Sequence, residues 1–281
     1  VGGLITLLAR PDRRGAVVTG VLWGLGSLVR GTLMLGFPLV GLVAWVRGTG
    51  WRRAVVHTAL AGAALTLVLL PWAIRNHHVT GHVVLVSSNL GQNLWQGTQG
   101  DVGYWWSDDP DENPVIAASS EVEGDRLGRE AALAYWREHP VEWLVRAPVK
   151  ITGLYAGNGE TFHWLHRTGL MTGPVKERWT AVANLAYWAV MAFAVVGAVL
   201  VWRRHRAVAV ALVGVVAYTT ALFTFFLTWD RFRAPLMPIF CLLAAYAFVT
   251  VVRRDDGQRQ EAARPRTTEP AATTESATVS S

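Results

Sequence analysis

Cysteine is nearly absent from this chain of 281 residues: Cys241 stands alone, inside an apolar run. One cysteine cannot form an intramolecular disulfide, and its isolation excludes CxxC motifs and metal sites built from several cysteines. Charged residues are also scarce, at 16%, whereas hydrophobic residues reach 52% and the mean hydropathy is +0.28. This balance argues against an ordinary soluble domain and predicts an all-α polytopic membrane protein.

The formal net charge of +6 does not indicate a nucleic-acid-binding protein. The arginines form short clusters between apolar runs, which is typical of orientation signals in membrane proteins. We therefore expect the lipid bilayer, and no nucleic acid, as a partner. The clusters are Arg10/Arg13/Arg14, Arg47/Arg52/Arg53, Arg203/Arg204/Arg206 and Arg253/Arg254.

Four apolar runs approach the roughly 20 residues that a helix needs to cross a bilayer. They cover residues 54–72, 180–202, 207–228 and 235–252. A fifth run, 16–46, is interrupted by Arg30, Gly31 and Pro38, so we expect a hairpin of two short helices that turns near Arg30. Residues 1–72 and 179–252 are thus predicted to be membrane regions.

The positive-inside rule predicts the topology if all four arginine clusters are cytoplasmic. Residues 73–178 then form a mixed extracytoplasmic or interfacial segment of about 100 residues, and the polar tail 253–281 is cytoplasmic and disordered. Ser120 and Glu123 have capping-box spacing, which predicts a helix over 121–138. A second helix, over 141–155, is expected to rest on the interface.

Two features of the external segment leave alternatives open. Trp105 and its aromatic neighbours precede an acidic run, and such rings either stack on sugars or anchor at the headgroup level. His163 and His166 have a spacing that can converge on a metal, but no metal-site signature accompanies them. We predict no metal site here.

Arg30 is the least expected charge, because an arginine within an apolar run is costly to insert. Either its side chain extends to the membrane surface, or it meets a lipid phosphate, which guanidinium groups pair with in a bidentate manner. The predicted topology brings Arg75, Arg231 and Arg233 to the same outer level. A convergent lipid-phosphate site is therefore one hypothesis, and separate interfacial anchors are the other.

Four motifs occur in order along the chain: 24–30 (GLGSLVR), 71–76 (PWAIRN), 87–97 (SSNLGQNLWQG) and 231–238 (RFRAPLMP). With their topological placement, they resemble the multi-spanning glycosyltransferases that use polyprenyl-phosphate sugars. This superfamily, GT-C, contains the protein mannosyltransferases and the lipid-A aminoarabinose transferases. The resemblance covers most of residues 15–252 and implies a GT-C-like fold.

The resemblance implies transfer of a sugar from a polyprenyl-phosphate carrier to a glycan, lipid or protein acceptor on the extracytoplasmic face of the cell membrane. It assigns Arg30, Arg75, Arg231 and Arg233 to the lipid phosphate. It places the rim of the sugar or acceptor site at Asn76, Asn89, Asn93, Trp95 and Trp105. No cofactor is firmly implied, and the need for a divalent cation stays open.

The catalytic aspartate of that family lies in an early external loop, so it is expected upstream of Val1 in a longer enzyme. Asp101 and Asp230 are alternative candidates that the family pattern does not favour. Two other functions stay open: a non-catalytic membrane partner that binds the lipid carrier, and a transporter or flippase. The latter is disfavoured because the chain shows no repeated halves.

Overall fold

The structure, a computed structural model, describes residues 2–100 and 106–262, with side chains as far as Val251. It confirms an all-α polytopic membrane protein, and no strand occurs in the described ranges. The helices are α1 Gly2–Ala9, α2 Arg13–Val29, α3 Pro38–Val46, α4 Trp51–Thr80, α5 Leu90–Thr98, α6 Glu121–Glu138, α7 Glu142–Tyr155, α8 Glu160–Arg167, α9 Gly173–Arg204, α10 Arg206–Phe223 and α11 Met237–Ala262. Short 3-10 helices cover Gly31–Gly36 and Asp230–Leu236.

Four segments of the described residues are long and apolar enough to cross a membrane: Trp51–Thr80, Gly173–Arg204, Arg206–Phe223 and Asp230–Val251. Each overlaps one predicted span, but the bounds differ. Helix α4 continues through Pro71 to Thr80 and ends where Gly81 adopts φ +74°, a conformation that glycine accepts readily. Helix α10 ends at Phe223, and the next residue, Thr224, accepts a hydrogen bond from the Trp143 indole.

Helices α2 and α3 form a hairpin whose turn is the 3-10 helix Gly31–Gly36. Gly20 packs against Ala61 and Gly24 against Leu65, so α2 and α4 run parallel. A side chain at Gly20 would collide with the backbone carbonyl of Ala61, and glycine thereby permits this close approach. Helix α3 returns antiparallel to α4.

Helix α10 packs on this hairpin, and its Tyr218 hydroxyl donates to Thr32 O at 2.5 Å. Helices α9 and α11 pack beside each other, with Gly197 against Leu243. We name the two ends of the bundle by what they carry. The loop end carries residues 81–100, 106–172 and 224–236, and the basic end carries Arg13, Arg53 and Arg206.

The segment between α4 and α9 contains α5 to α8. The predicted helix over 121–138 is confirmed at both bounds, and the Ser120 hydroxyl accepts a hydrogen bond from Glu123 N. The helix predicted over 141–155 is confirmed as α7, which starts one residue later. Helix α7 is tied to the bundle because the Trp143 indole donates to Thr224 Oγ1 at 3.0 Å and stacks on Phe225.

The C-terminal region differs from its prediction in part. The sequence predicts disorder over 253–281, whereas α11 continues as far as Ala262. The apolar run ends at Val252, whereas the helix continues into the charged stretch of sequence that follows. Residues 263–281 lie outside the described residues, and so do Asp101 and Trp105.

Candidate binding site at the loop end

Two of the predicted arginines meet at one aromatic ring. Arg30 follows the last residue of α2, and its Cζ lies 5.9 Å from the centre of the Phe232 ring. Arg231 comes from the 3-10 helix before α11, and its Cζ lies 5.1 Å from the same ring centre and 4.1 Å from that of Trp229. Residues 201 positions apart in sequence thus place two guanidinium groups together, an arrangement that attracts an anion.

A carboxyl group partly balances this positive charge. Glu160 Oε1 lies 3.2 Å from Arg231 Nη1, while Glu160 Oε2 is buried and makes no hydrogen bond within the described structure. Burial raises the pKa of the Glu160 carboxyl, and the neighbouring Asp230 raises it further, whereas Arg231 opposes the shift. Arg30 has no ion-pair partner among the described residues.

Asp230 has a different environment from Glu160. Its Oδ2 accepts hydrogen bonds from the backbone N–H groups of Gly159 at 2.8 Å and Glu160 at 3.1 Å, at the start of α8. Asp230 thus accepts two backbone hydrogen bonds, whereas Glu160 Oε2 accepts none within the described structure. The two carboxyl groups therefore differ in their surroundings, a pattern that separates proton-donating from charged roles in many active sites.

Beside this carboxyl pair lies a cavity of about 620 Å³, a size in the range of small-molecule sites. Its wall combines carboxylates, a lysine, amides, hydroxyls and two indole rings. Such a mixture can hydrogen-bond a polyhydroxylated ligand and stack on its apolar face. The lining residues are Gly153, Ala156, Gly157, Asn158, Gly159, Glu160, His163, Trp164, Lys176, Thr180, Asn184, Thr228, Trp229 and Asp230.

Arg233 differs from its predicted role at a lipid phosphate. Its side chain is 2% exposed, and its guanidinium donates to Leu154 O at 2.8 Å, to Gly157 O and to Asn158 Oδ1. It also lies over the Tyr187 ring, 4.2 Å from the ring centre. These partners occupy the guanidinium, so this geometry favours a structural role, holding the wall of the cavity. Sequence alone could not separate Arg233 from Arg231, two residues away.

Arg75 and Asn76 lie on the last turns of α4. Arg75 Nη1 donates to Asn76 Oδ1 at 3.2 Å, and its Cζ lies 4.9 Å from the centre of the Trp72 ring. The buried Asn76 side chain donates to Val84 O, and Trp72 donates to Val86 O. Val86 in turn packs against Gly31, next to Arg30. Asn76 therefore ties the loop to α4, while Arg75 stays exposed on the same end of the bundle.

The predicted rim residues in and next to α5 differ in their exposure to solvent. Asn89 is exposed, and its backbone carbonyl accepts from Asn93 Nδ2 at 2.8 Å. Trp95, in contrast, is 4% exposed and contacts Trp106 edge to face. Its burial follows from the close packing of α5 on α6, where Gly91 lies against Asp125. Little of the Trp95 ring is left to stack on a sugar, which differs from the rim prediction.

Sequence reasoning did not single out Glu160 or Lys176, and it treated Asp230 only as an alternative. Glu160 meets Asp230 across 70 residues of sequence, and no local pattern reports such a distant pairing. The described residues hold no group of three His, Cys, Asp or Glu side chains that could bind a metal. His163 instead lines the cavity.

The fold and this site together define the class: a multi-pass, all-α membrane protein with converging arginines beside a polar cavity. A stretch of 61 residues is 33% identical to an undecaprenyl phosphate-alpha-4-amino-4-deoxy-L-arabinose arabinosyl transferase of Enterobacter sp. (strain 638). The match covers 21% of this chain and only 11% of that protein. No family model and no solved structure matches the chain. The similarity is local and points to membrane glycosyltransferases at a coarse level.

Proposed function

We propose that the chain functions as a membrane glycosyltransferase that takes a sugar from a polyprenyl-phosphate carrier and passes it to an acceptor on the extracytoplasmic face. The observation that carries this proposal is the convergence of Arg30 and Arg231 on Phe232 at the loop end. The local similarity to an undecaprenyl-phosphate-dependent transferase supports the choice of carrier. Arg75 adds a third guanidinium at the same end of the bundle.

The chemistry follows from the charge on the carrier. The bond between the anomeric carbon and the carrier phosphate breaks, a bond to an acceptor hydroxyl forms, and the hydroxyl proton passes to a base. Negative charge grows on the departing phosphate, and the guanidinium groups of Arg30 and Arg231 stabilise it. The identity of the base stays a prediction.

The cavity beside Glu160 is the proposed acceptor site. It adjoins the arginines through the Glu160–Arg231 ion pair, so an acceptor bound there lies close to the carrier phosphate. Its carboxyl groups disfavour a second phosphate and favour a neutral sugar or another hydroxyl-bearing group. The indole of Trp164, on the exposed helix α8, offers a surface for stacking.

The donor half of this proposal is tested with the full chain in lipid nanodiscs. Undecaprenyl phosphate binding and transfer of labelled sugar from a polyprenyl-phosphate donor are measured for wild type, Arg30→Ala and Arg231→Ala. Loss of one charge-assisted contact is expected to weaken binding about tenfold. Arg126→Ala is the matched control, because Arg126 is exposed and its ion pairs among the described residues are with Glu123 and Glu130 on its own helix.

The outcomes separate the candidate functions. Wild-type protein that binds no undecaprenyl phosphate, or Arg30→Ala protein that binds it normally, contradicts the proposal. Carrier binding that depends on Arg30 without any sugar transfer would favour the non-catalytic carrier-binding partner. The acceptor half is tested by Trp164→Ala, which should lower transfer and leave carrier binding unchanged. Trp179→Ala is its control, because Trp179 is exposed and lies outside the cavity.

A further inference from the structure

A second cavity, of about 270 Å³, lies at the basic end of the bundle, far from the proposed transfer site. Helices α2 and α4 run parallel, so their first turns meet here. Thr49, in the connection between α3 and α4, belongs to the same wall. The lining residues are Pro11, Asp12, Arg13, Thr49, Arg53, Val56 and His57.

The charges around this cavity favour an anion. Arg13 and Arg53 form no ion pair within the described ranges. Asp12 is the one acidic residue in the wall, and its carboxylate already accepts from Gly15 N at 2.7 Å as the N-cap of α2. The wall thus contains two arginines and one carboxylate that already accepts a backbone hydrogen bond, and the local balance of charge is positive.

The start of α4 adds to this positive potential. Its N-cap residue is Gly50, so no side chain accepts from the first backbone N–H groups of the helix. Uncapped N–H groups and the positive end of the helix dipole both favour negative charge at this position. Helix α2, which Asp12 caps, contributes less.

The buried side chain of His57 gives independent evidence for a ligand in this cavity. The residue is 4% exposed, and its Nδ1 atom makes no hydrogen bond in the part of the chain that the structure describes. A buried polar atom without a partner is unfavourable and uncommon in folded proteins. Because His57 belongs to the wall of the cavity, a ligand oxygen entering it is the simplest partner for this nitrogen.

We propose that this cavity binds a phosphate group, with Arg13 and Arg53 pairing with its oxygens and Nδ1–H of His57 donating a hydrogen bond. Phosphate could come from a phospholipid headgroup or from free inorganic phosphate. Val55 and Val56, on the same turn of α4, are 59% and 42% exposed. These valines offer an apolar surface to an acyl chain, which favours an anionic phospholipid whose headgroup enters between the helices.

The proposal is tested with the full chain in nanodiscs of phosphatidylcholine, with or without phosphatidylglycerol, and separately with inorganic phosphate. Phosphatidylglycerol retained on the protein is counted by native mass spectrometry, and the thermal midpoint is measured in parallel. The test variant is Arg13→Ala/Arg53→Ala. The matched control is Arg14→Ala/Arg52→Ala, which removes the same charge from adjacent positions outside the cavity wall. A third variant, His57→Phe, removes the unpaired nitrogen and keeps an aromatic ring.

Phosphatidylglycerol is expected to bind wild type and the control about tenfold more tightly than Arg13→Ala/Arg53→Ala, the loss of a charge-assisted pair. His57→Phe should weaken retention and leave the protein folded in phosphatidylcholine alone. The same variant dependence with inorganic phosphate only would support the site and identify a free anion as its ligand. Equal losses in both double variants would show a diffuse basic surface and overturn the proposal. Absence of any effect of either ligand on wild type would also overturn it.

Discussion

At the loop end, Arg233 is 2% exposed and three oxygen acceptors surround its guanidinium, whereas Arg13 and Arg53 at the basic end are exposed and form no ion pair in the described structure. Arg231 lies between these extremes, paired with Glu160 but 55% exposed. Arginine thus occurs in three environments. Arg233 is an internal tie that bonds to buried acceptors, Arg231 is a shared cation that is paired with Glu160, and Arg13 and Arg53 are open cations that are exposed. The surroundings of an arginine, more than its identity, decide how much of its charge is available to a ligand.

The largest expected effect concerns the internal tie. Arg233→Ala leaves Leu154 O, Gly157 O and Asn158 Oδ1 without their donor, and each unsatisfied acceptor is costly. We expect the free energy of unfolding to fall by about 3 kcal/mol or more. Denaturant unfolding in detergent micelles measures this change. An Arg233→Ala protein as stable as wild type would contradict a structural role and return Arg233 to the candidate phosphate ligands.

The next prediction concerns the cost in folding free energy of burying a cation at the loop end, a cost that the exposed arginines at the basic end do not have. Lys150 is 3% exposed, and its Nζ donates to Gly97 O and Phe226 O. Burial lowers the pKa of Lys150 to about 8. Between pH 8 and 10, Lys150 is therefore protonated to a greater extent in the unfolded chain than in the folded chain. The free energy of unfolding accordingly rises with pH across this window, by about 2 kcal/mol.

Unfolding free energies measured at several pH values in this window check the prediction. Lys150→Met keeps the length of the side chain and removes the titrating group, so its stability should vary less with pH. The window stops at pH 10, because burial raises the pKa of Tyr135 to about 12 and its ionisation would then oppose folding. An identical pH slope in wild type and Lys150→Met would show that another group is responsible.

A smaller effect concerns the shared cation. Glu160→Gln removes the carboxylate that pairs with Arg231 and leaves a side chain of similar size. The Arg231 guanidinium then becomes more available, and undecaprenyl phosphate should bind a few-fold more tightly, about 1 kcal/mol or less. Glu123→Gln is the control, since Glu123 pairs with an exposed arginine on its own helix. Unchanged or weaker binding in Glu160→Gln would count against Arg231 as a phosphate ligand.

The smallest effect is expected at the basic end. Arg14→Ala/Arg52→Ala removes two exposed cations that contact no acidic residue in the described part of the chain. The free energy of unfolding should stay within about 0.5 kcal/mol of wild type. Thermal unfolding in the same micelles measures it. A large loss would show that open arginines also stabilise the fold, and the contrast between the two ends would disappear.

Local signals predicted the elements well where one physical cause dominates. Apolar runs of bilayer length led to the four membrane-spanning segments, and the Ser120 capping box located the start of α6. Prediction was weaker where tertiary contacts override local preference. The predicted span ends at residue 72, but α4 continues through Pro71 to Thr80, where the Trp72 and Asn76 side chains donate to the backbone of the following loop.

The candidate site was predictable only in part. A shared lipid-phosphate site for Arg30 and Arg231 was one of two hypotheses and stays a prediction, but the structure does place both side chains against Phe232. Glu160 was not singled out, since its partners Asp230 and Arg231 arrive from another segment. The resemblance placed Trp95 at an exposed rim, but Gly91 lets α5 pack tightly on α6, Gly97 lets it approach Phe225, and the Trp95 ring is buried.

Sequence by itself determined the class of protein, the membrane helices and which arginines are candidates for a site. Hydropathy, helix length and capping can be read from neighbouring residues. Only the tertiary structure decided which arginine is buried among carbonyls, which shares a carboxylate and which stays open. Those distinctions depend on atoms brought together across 70 residues or more, as at Glu160 and Asp230. Local sequence patterns do not predict the distances between such atoms, and the strength of each electrostatic interaction depends on those distances.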